Sequence, residues 1–220
     1  DSDEDRTAYG EVVLAAIGRV PNTDADWFRS SGLKLDERGY VTVDGYGRTN
    51  LDGVWALGDI TPGHALAHRA FEQGITIAEK IAGADPKPVI DDTVPQVVFS
   101  FPEAASVGLT LDQAKAREDV VEPKETAYPM LSNARMLMSG EGGSMTVVSG
   151  AFANNPDMQV VLGVHIVSPI ASDLIAEAEQ LVGNRVPLAD AARLIHPHPT
   201  FSETLGEALL KADGRPLHTR

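Results

Sequence analysis

The sequence predicts an α/β segment followed by an α+β domain that contains an antiparallel sheet. Three observations support this prediction. The run EVVLAAI at 11–17 is apolar throughout, as is typical of a buried strand in a parallel sheet. The stretch GADPKP at 83–88 cannot continue a helix and marks a domain boundary. Beyond it, strand-like and helix-like segments are segregated along the chain, which favours the α+β class.

Before this boundary the predicted elements are short and separated by glycines. A mature α/β domain rarely begins with one isolated strand, so we expect the sequence to belong to a longer protein whose other part precedes it. A helix from 64 to 82 is indicated by apolar residues at helical spacing, and Gly83 ends it. The other elements predicted here are a short helix near 25–30 and extended segments at 40–44 and 54–59.

After the boundary the pattern predicts a hairpin and several helices. The turn signal NNPD at 154–157 separates two adjacent strand-like runs, which is typical of a β-hairpin. Strands are predicted at 96–101, 144–150 and 159–167, and helices at 110–118, 169–182, 187–194 and 203–211.

Composition and charge exclude several classes of protein. The 32 acidic against 18 basic side chains give a net charge of −14, and without a basic patch such a chain should bind neither nucleic acid nor an anionic membrane. No apolar run reaches the roughly 18 residues of a membrane span. Cysteine is absent, which excludes disulfides, thiolate metal sites and redox dithiols from this sequence. We expect a cytoplasmic chain.

Two features in the first half could bind a ligand. Asp59 ends an extended segment, where a carboxylate can accept hydrogen bonds from ligand hydroxyls, although the residues alone favour an aspartate that caps the next turn. The helix start at 63–68 offers free amides and a positive dipole end to an anion. His64 and His68 also have a metal-like spacing, but no third ligand follows nearby, so ordinary packing or polar contacts are favoured.

The segment HPHPTFSE at 196–203 carries the most chemical information. Its two prolines restrict each preceding histidine to an extended backbone. Thr200 or Ser202 can cap the following helix, with Glu203 in its first turn. A glutamate there can accept the Nδ1 proton of an imidazole and leave Nε2 as a base. From the residues alone, a capped helix with incidental histidines and a His-x-His metal site with Glu203 remain alternatives.

Six motifs occur in an order that resembles a known family. They are AAIGRVPNT, GVWALGDI, HALAHRAFEQG, VVFSFPEAASVGLT, VLGVHIVSPIASDLI and HPHPTFSE. Together they resemble the C-terminal half of the pyridine nucleotide-disulfide oxidoreductases, and most closely the dihydrolipoamide dehydrogenases among them. The resemblance implies the end of an NAD-binding domain at 1–22, the C-terminal part of the FAD-binding and central domain at 23–91, and an interface domain at 92–220 with helices on one side of its antiparallel sheet.

The resemblance also implies roles for individual residues. His198 would be the acid/base and Glu203 its orienting partner. Asp59 would bind the ribitol and phosphate region of FAD, and Gly18 would contact NAD. The residues implied to lie against the isoalloxazine ring are Ala65, Leu66, Ala67 and His68.

The implied activity is oxidation of dihydrolipoyl groups with reduction of NAD through FAD. The implied partners are a second copy of the chain, to whose site the histidine is delivered, and the lipoyl domain of a 2-oxo acid dehydrogenase complex. The family's glycine-rich fingerprints and cysteine pair are absent, so we expect the chain alone to be inactive and colourless. The alternatives are another reductase of this family with a glutathione-type substrate, or a non-catalytic dimerisation module.

Overall fold

The computed structural model describes residues 7–219, which divide into two compact units after Pro86. The first unit is built mainly of loops around two helices. These helices are α1 (Asp26–Ser30) and α2 (Ala67–Ile81), and a 3₁₀ turn at Gly58–Ile60 precedes α2. The helix predicted at 64–82 is therefore confirmed, and it begins three residues later than expected.

The apolar run at 11–17 does not form the buried strand that its composition predicts. The side chains of Val12, Val13, Leu14 and Ile17 are between 86 and 99% exposed, and the backbone has no regular structure. No strand pairs with this segment among residues 7–219, so its amide and carbonyl groups lack a sheet partner. An apolar run specifies burial, but it does not supply the neighbouring strand.

The extended segments of the first unit are also less regular than predicted. They take part in isolated bridges, Leu35 with Val41 and Arg48 with Trp55. Helix α2 packs on the 3₁₀ turn, where the Gly58 amide donates to Gln73 Oε1 at 2.8 Å. Gly58 has φ +72°, and a Cβ there would lie 3.2 Å from that of Ala70, so the turn that carries Asp59 depends on this glycine.

The second unit contains an antiparallel sheet of five strands in the order β1-β2-β5-β4-β3. The hairpin predicted from the turn signal at 154–157 is confirmed, because β4 and β5 pair from Phe152 and Asn155 outward, but its turn lies at 153–154 and residues 155–157 already belong to β5. The strands are β1 (Gln96–Val98), β2 (Glu103–Gly108), β3 (Val120–Pro129), β4 (Ser144–Phe152) and β5 (Asn155–Ser168).

Four helices share the main core of this unit with the sheet. Val147, Val164 and Ile166 of the sheet are buried there together with Leu205 and Leu209. Alternate strand residues, including Val148, form a second, smaller cluster with Ala114. Ala114 lies in α3 (Leu111–Ala116). The helices of the main core are α4 (Ala134–Ser139), which follows a 3₁₀ turn at Met130–Ser132 and contributes Met136, α5 (Ala171–Gly183), α6 (Leu188–Ala191) and α7 (Glu203–Ala212).

None of the helices in residues 7–219 combines the length and the apolar composition that a bilayer span requires.

Candidate active site

The segment before α7 brings His198 and Glu203 together. His198 Nδ1 lies 2.9 Å from Glu203 Oε1, and Glu203 is the first residue of α7. The His198 side chain is 70% exposed, whereas that of Glu203 is only 21% exposed. The carboxylate therefore sets the imidazole tautomer from the protein side, and Nε2, on the opposite edge of the ring, is left for a reacting group.

Glu203 is fixed by its second oxygen as well. Oε2 accepts the backbone N–H of Thr200 at 2.7 Å, and Asn133 Nδ2 donates to the Thr200 carbonyl at 3.2 Å. Burial raises the pKa of Glu203, but the Thr200 amide and the His198 imidazole together outweigh burial and hold that pKa below its ordinary value. Glu203 is consequently an anion at neutral pH.

The predicted side-chain cap of α7 is wrong. Ser202 stands at the N-cap position but makes no side-chain capping bond, and Thr200 Oγ1 instead donates to the Pro197 carbonyl at 2.6 Å. The side chain of Glu203 reaches back to the amide of Thr200, which is the carboxylate half of a capping box. This arrangement ties the catalytic candidate to the loop that carries His198.

His196 occupies a different environment from His198. Its Nε2 lies 2.8 Å from Glu177 Oε1 on α5, and its side chain is only 9% exposed. The hydrogen bond to Glu177 raises the pKa of His196, although burial opposes this change. The two imidazoles thus have separate carboxylate partners. Within residues 7–219 no group of three or more His, Asp or Glu side chains is arranged to hold a metal ion.

The implied flavin contacts lie at the start of α2 in the first unit. Ala65 and Leu66 precede the helix, and Ala67 and His68 are its first two residues. No side chain caps this end and no acidic residue occupies its first turn, so its amides and dipole remain suited to an anionic group. The small, exposed side chains of Ala65 and Ala67 leave close approach to the backbone open. These residues therefore fit a bound flavin.

Asp59 and Gly18 lie in the same unit. Arg19, which follows Gly18, contacts Asp59 through Nη1 and Oδ2 at 3.4 Å. The Arg19 and Asp59 side chains are 80% and 56% exposed, so solvent screens this pair and it adds little stability. Gly18 has φ +137° with open space around its Cα, which leaves its backbone accessible. The Asp59 carboxylate is thus partly exposed at the turn, with Oδ2 paired to Arg19.

Sequence analysis did not identify three residues that support the histidine segment. Glu177 binds His196 from α5, Asn133 holds the Thr200 carbonyl, and Gly206 lies against the His196 ring. A glycine inside the apolar pattern of α7 is a signal for such close contact, because glycine otherwise weakens a helix. Glu177 and Asn133 had no comparable signal.

Comparison with known proteins identifies the family. The family described as "pyridine nucleotide-disulphide oxidoreductase, dimerisation domain" matches residues 94–209. The family described as "pyridine nucleotide-disulphide oxidoreductase" matches residues 1–74. Dihydrolipoyl dehydrogenase of Cupriavidus necator is 41% identical over 215 residues, which are 97% of this chain and 44% of that protein. The dihydrolipoyl dehydrogenase of Geobacillus stearothermophilus is 39% identical over 98% of this chain and 44% of its own length.

Solved structures agree with this assignment. LpdA of Mycobacterium tuberculosis matches with a TM-score of 0.79 and 31% identity over 90% of this chain and 42% of its own. The HOCl-induced flavoprotein disulfide reductase RclA of Escherichia coli, at 24% identity and a TM-score of 0.75 over 88% of this chain and 43% of its own, supports the fold alone. The chain spans less than half the length of these relatives. It is similar to the C-terminal half of dihydrolipoyl dehydrogenases and belongs to the pyridine nucleotide-disulphide oxidoreductase family.

Proposed function

We propose that this chain supplies the acid/base pair, part of the flavin site and the dimer interface of a dihydrolipoyl dehydrogenase. The observation that supports the proposal best is the exposed imidazole of His198, whose Nδ1 is held 2.9 Å from the Glu203 carboxylate. Such an arrangement suits a general base, because the carboxylate fixes the tautomer and leaves Nε2 accessible. The relatives named dihydrolipoyl dehydrogenase support the choice of substrate.

In this proposal His198 acts on a thiol of the dihydrolipoyl group. Its Nε2 accepts the thiol proton, and the resulting thiolate attacks a disulfide contributed from outside this cysteine-free sequence. Glu203 accepts a hydrogen bond from the Nδ1–H group and stabilises the imidazolium that forms. The complete reaction removes two electrons and two protons from the dithiol to give a cyclic disulfide, and NAD⁺ takes up a hydride equivalent while one proton is released.

The first unit would contribute to cofactor binding. Asp59 would bind the ribitol and phosphate region of FAD, residues 65–68 would lie along its ring, and Gly18 would contact NAD. The chemistry that FAD supplies when bound is electron transfer between a dithiol–disulfide pair and NAD. The uncapped amides at the start of α2 would stabilise negative charge on the ring side of the group.

The second unit would form the contact between two copies of the protein. The matched description of residues 94–209 as a dimerisation domain supports this assignment. We further propose that each copy presents its His198 to the active site of the other, and that a lipoyl domain of a 2-oxo acid dehydrogenase complex brings the substrate. Sedimentation at micromolar concentration should show a dimer, and a chain that stays monomeric would contradict self-pairing by this unit.

Substrate choice is tested with the complete flavin-loaded enzyme that contains this sequence. Reduction of NAD⁺ by dihydrolipoamide is compared with NADPH-driven reduction of glutathione disulfide under the same conditions. We expect turnover with dihydrolipoamide and little with glutathione. The reverse result would assign the protein to another reductase of the family, and no turnover with either couple would support a non-catalytic dimerisation module.

A further inference from the structure

We infer that His196 is a positioning residue that fixes the loop carrying His198, and that Glu177 and Gly206 hold His196 in place. This inference rests on the proposed function for its catalytic consequence. The positioning role itself is argued from contacts within the second unit. Among the described residues none of the three hydrogen-bonds to His198, so we assign their effect chiefly to the loop, beside a smaller electrostatic influence of His196 on the Glu203 carboxylate.

The first contact joins the loop to α5. His196 Nε2 lies 2.8 Å from Glu177 Oε1, and 19 residues of chain separate the two. The imidazole is 91% removed from solvent, since only 9% of its side chain is exposed. A hydrogen bond between an imidazole and a carboxylate in such a setting is directional and strong. The start of the loop is thereby attached to a helix of the main core.

The second contact joins the same ring to α7. A Cβ at Gly206 would lie 2.5 Å from His196 Nδ1 and 2.9 Å from its Cε1, closer than any side chain tolerates. The ring therefore fills the space that this glycine leaves along the helix. Gly206 lies three residues after Glu203, so both residues occupy the same face of α7. His196 consequently sets the loop against the helix that carries its partner carboxylate.

The far end of the loop is fixed independently. The Thr200 amide donates to Glu203 Oε2 and its carbonyl accepts from Asn133 Nδ2. His198, whose side chain is 70% exposed, lies between the attachment at His196 and the attachment at Thr200. Because so little protein surrounds its ring, the orientation of His198 depends on the backbone on either side. Loss of the His196 attachment should therefore loosen the His198–Glu203 hydrogen bond.

Imidazole nitrogen NMR of the 220-residue chain tests this geometry without reference to catalysis. We expect neutral His198 to be in the Nδ1–H tautomer, because Nδ1 donates to Glu203. In Glu177→Ala and in Gly206→Ala the fraction of that tautomer should fall, while the dispersed signals of the sheet remain. Matched controls are Glu179→Ala on the same helix and Gly183→Ala, whose added Cβ meets only the flexible end of Glu179 at 3.1 Å.

Steady-state kinetics of the complete enzyme measures how much turnover is lost when the His198 loop is no longer held in place. We expect kcat with dihydrolipoamide to fall about 10- to 100-fold in Glu177→Ala with KM nearly unchanged, because orientation is lost and binding is not. Glu177→Gln should recover part of kcat, since its amide oxygen can still accept the hydrogen bond from His196. Both controls should retain normal turnover.

The two experiments separate this inference from the proposed function. An unchanged His198 tautomer in folded Glu177→Ala overturns the inference, and so does a change in KM alone. Should Gly206→Ala fail to fold, the Glu177 variants still decide the matter. If the tautomer shifts but the wild-type enzyme does not oxidise dihydrolipoamide, the positioning role is supported and the proposed function is overturned.

Discussion

Glu203 Oε1 lies 2.9 Å from Nδ1 of His198, five positions earlier in the sequence, while its other oxygen accepts the amide of Thr200 at 2.7 Å. One carboxylate thus orders the loop and selects the tautomer of the imidazole. Because Glu203 is mostly buried and His198 mostly exposed, the pair has a protein side and a solvent side. This asymmetry is the basis of the predictions for activity.

The change His198→Gln in the complete enzyme should slow oxidation of dihydrolipoamide roughly 10²- to 10⁴-fold, the usual contribution of a positioned general base. Flavin binding should not change, and NADH-driven reduction of an artificial acceptor should persist because it needs no thiol deprotonation. His218→Gln is a suitable control, since His218 is also exposed and bonded through Nδ1 to a glutamate, Glu207. Near-normal dithiol turnover in His198→Gln, with turnover lost in His196→Gln, would assign the base to the other imidazole.

Glu203→Gln should reduce turnover less than His198→Gln does. The amide keeps one acceptor oxygen for Nδ1 but removes the negative charge that favours the imidazolium. The loss of kcat/KM should therefore lie between that of the wild type and that of His198→Gln. A kcat/KM equal to that of the wild type, measured in the same buffer, would mean that the carboxylate charge does not act on His198.

Stability should depend on pH through the pair of His196 and Glu177. The pKa of His196 is raised in the folded state by its hydrogen bond to Glu177. Such a group contributes its full stabilisation below the unfolded pKa of about 6.5, and the contribution is lost as pH rises through the higher folded pKa. Glu177→Gln should thus lower the free energy of unfolding more at pH 6 than at pH 9.

Urea denaturation followed by far-UV circular dichroism measures this difference. Glu179→Gln, which changes a half-buried carboxylate on the same helix that has no histidine partner in the described part of the chain, is the control and should show no such pH dependence. Equal losses at both pH values in Glu177→Gln would show that the charge of the pair contributes nothing and that only its hydrogen bond matters.

Tyr128 should tolerate loss of its hydroxyl. Its side chain is fully buried, and the hydroxyl has no hydrogen-bond partner among the residues that the structure describes. Burial, helped by the charges of Glu207 and Glu203, raises the pKa of Tyr128 to about 12. Removing an unsatisfied polar group while keeping the ring should leave the free energy of unfolding unchanged or raise it by about 1 kcal/mol in Tyr128→Phe.

Thermal and urea unfolding of Tyr128→Phe and Tyr128→Ala provide the comparison. The alanine variant loses the ring from the main core and should be destabilised by about 3–5 kcal/mol. A Tyr128→Phe variant destabilised by more than about 1 kcal/mol would show that the hydroxyl has a stabilising partner in solution.

Local pattern was sufficient for much of the second unit. Helices α5 and α7 and the β4–β5 hairpin follow from apolar spacing and from the turn signal at 154–157, which involve neighbours in sequence. His198 and Glu203 are also only five residues apart, and a proline-restricted loop leading into a helix start brings them into contact, but it was the family resemblance that identified them as an acid/base pair. Strand β3 was not predicted because Pro123 and charged residues around it obscure the alternation.

The tertiary structure alone decided which histidine faces solvent and what holds the other one. His196 and His198 have the same local sequence context, each followed by proline, yet one is buried against Gly206 and bonded to Glu177 while the other is exposed. The apolar run at 11–17 likewise predicted a strand but could not name its neighbour. Sequence spacing determines contacts made within one or two turns of chain, whereas burial and strand pairing depend on segments far apart in sequence, whose approach is set by the packing of the whole unit.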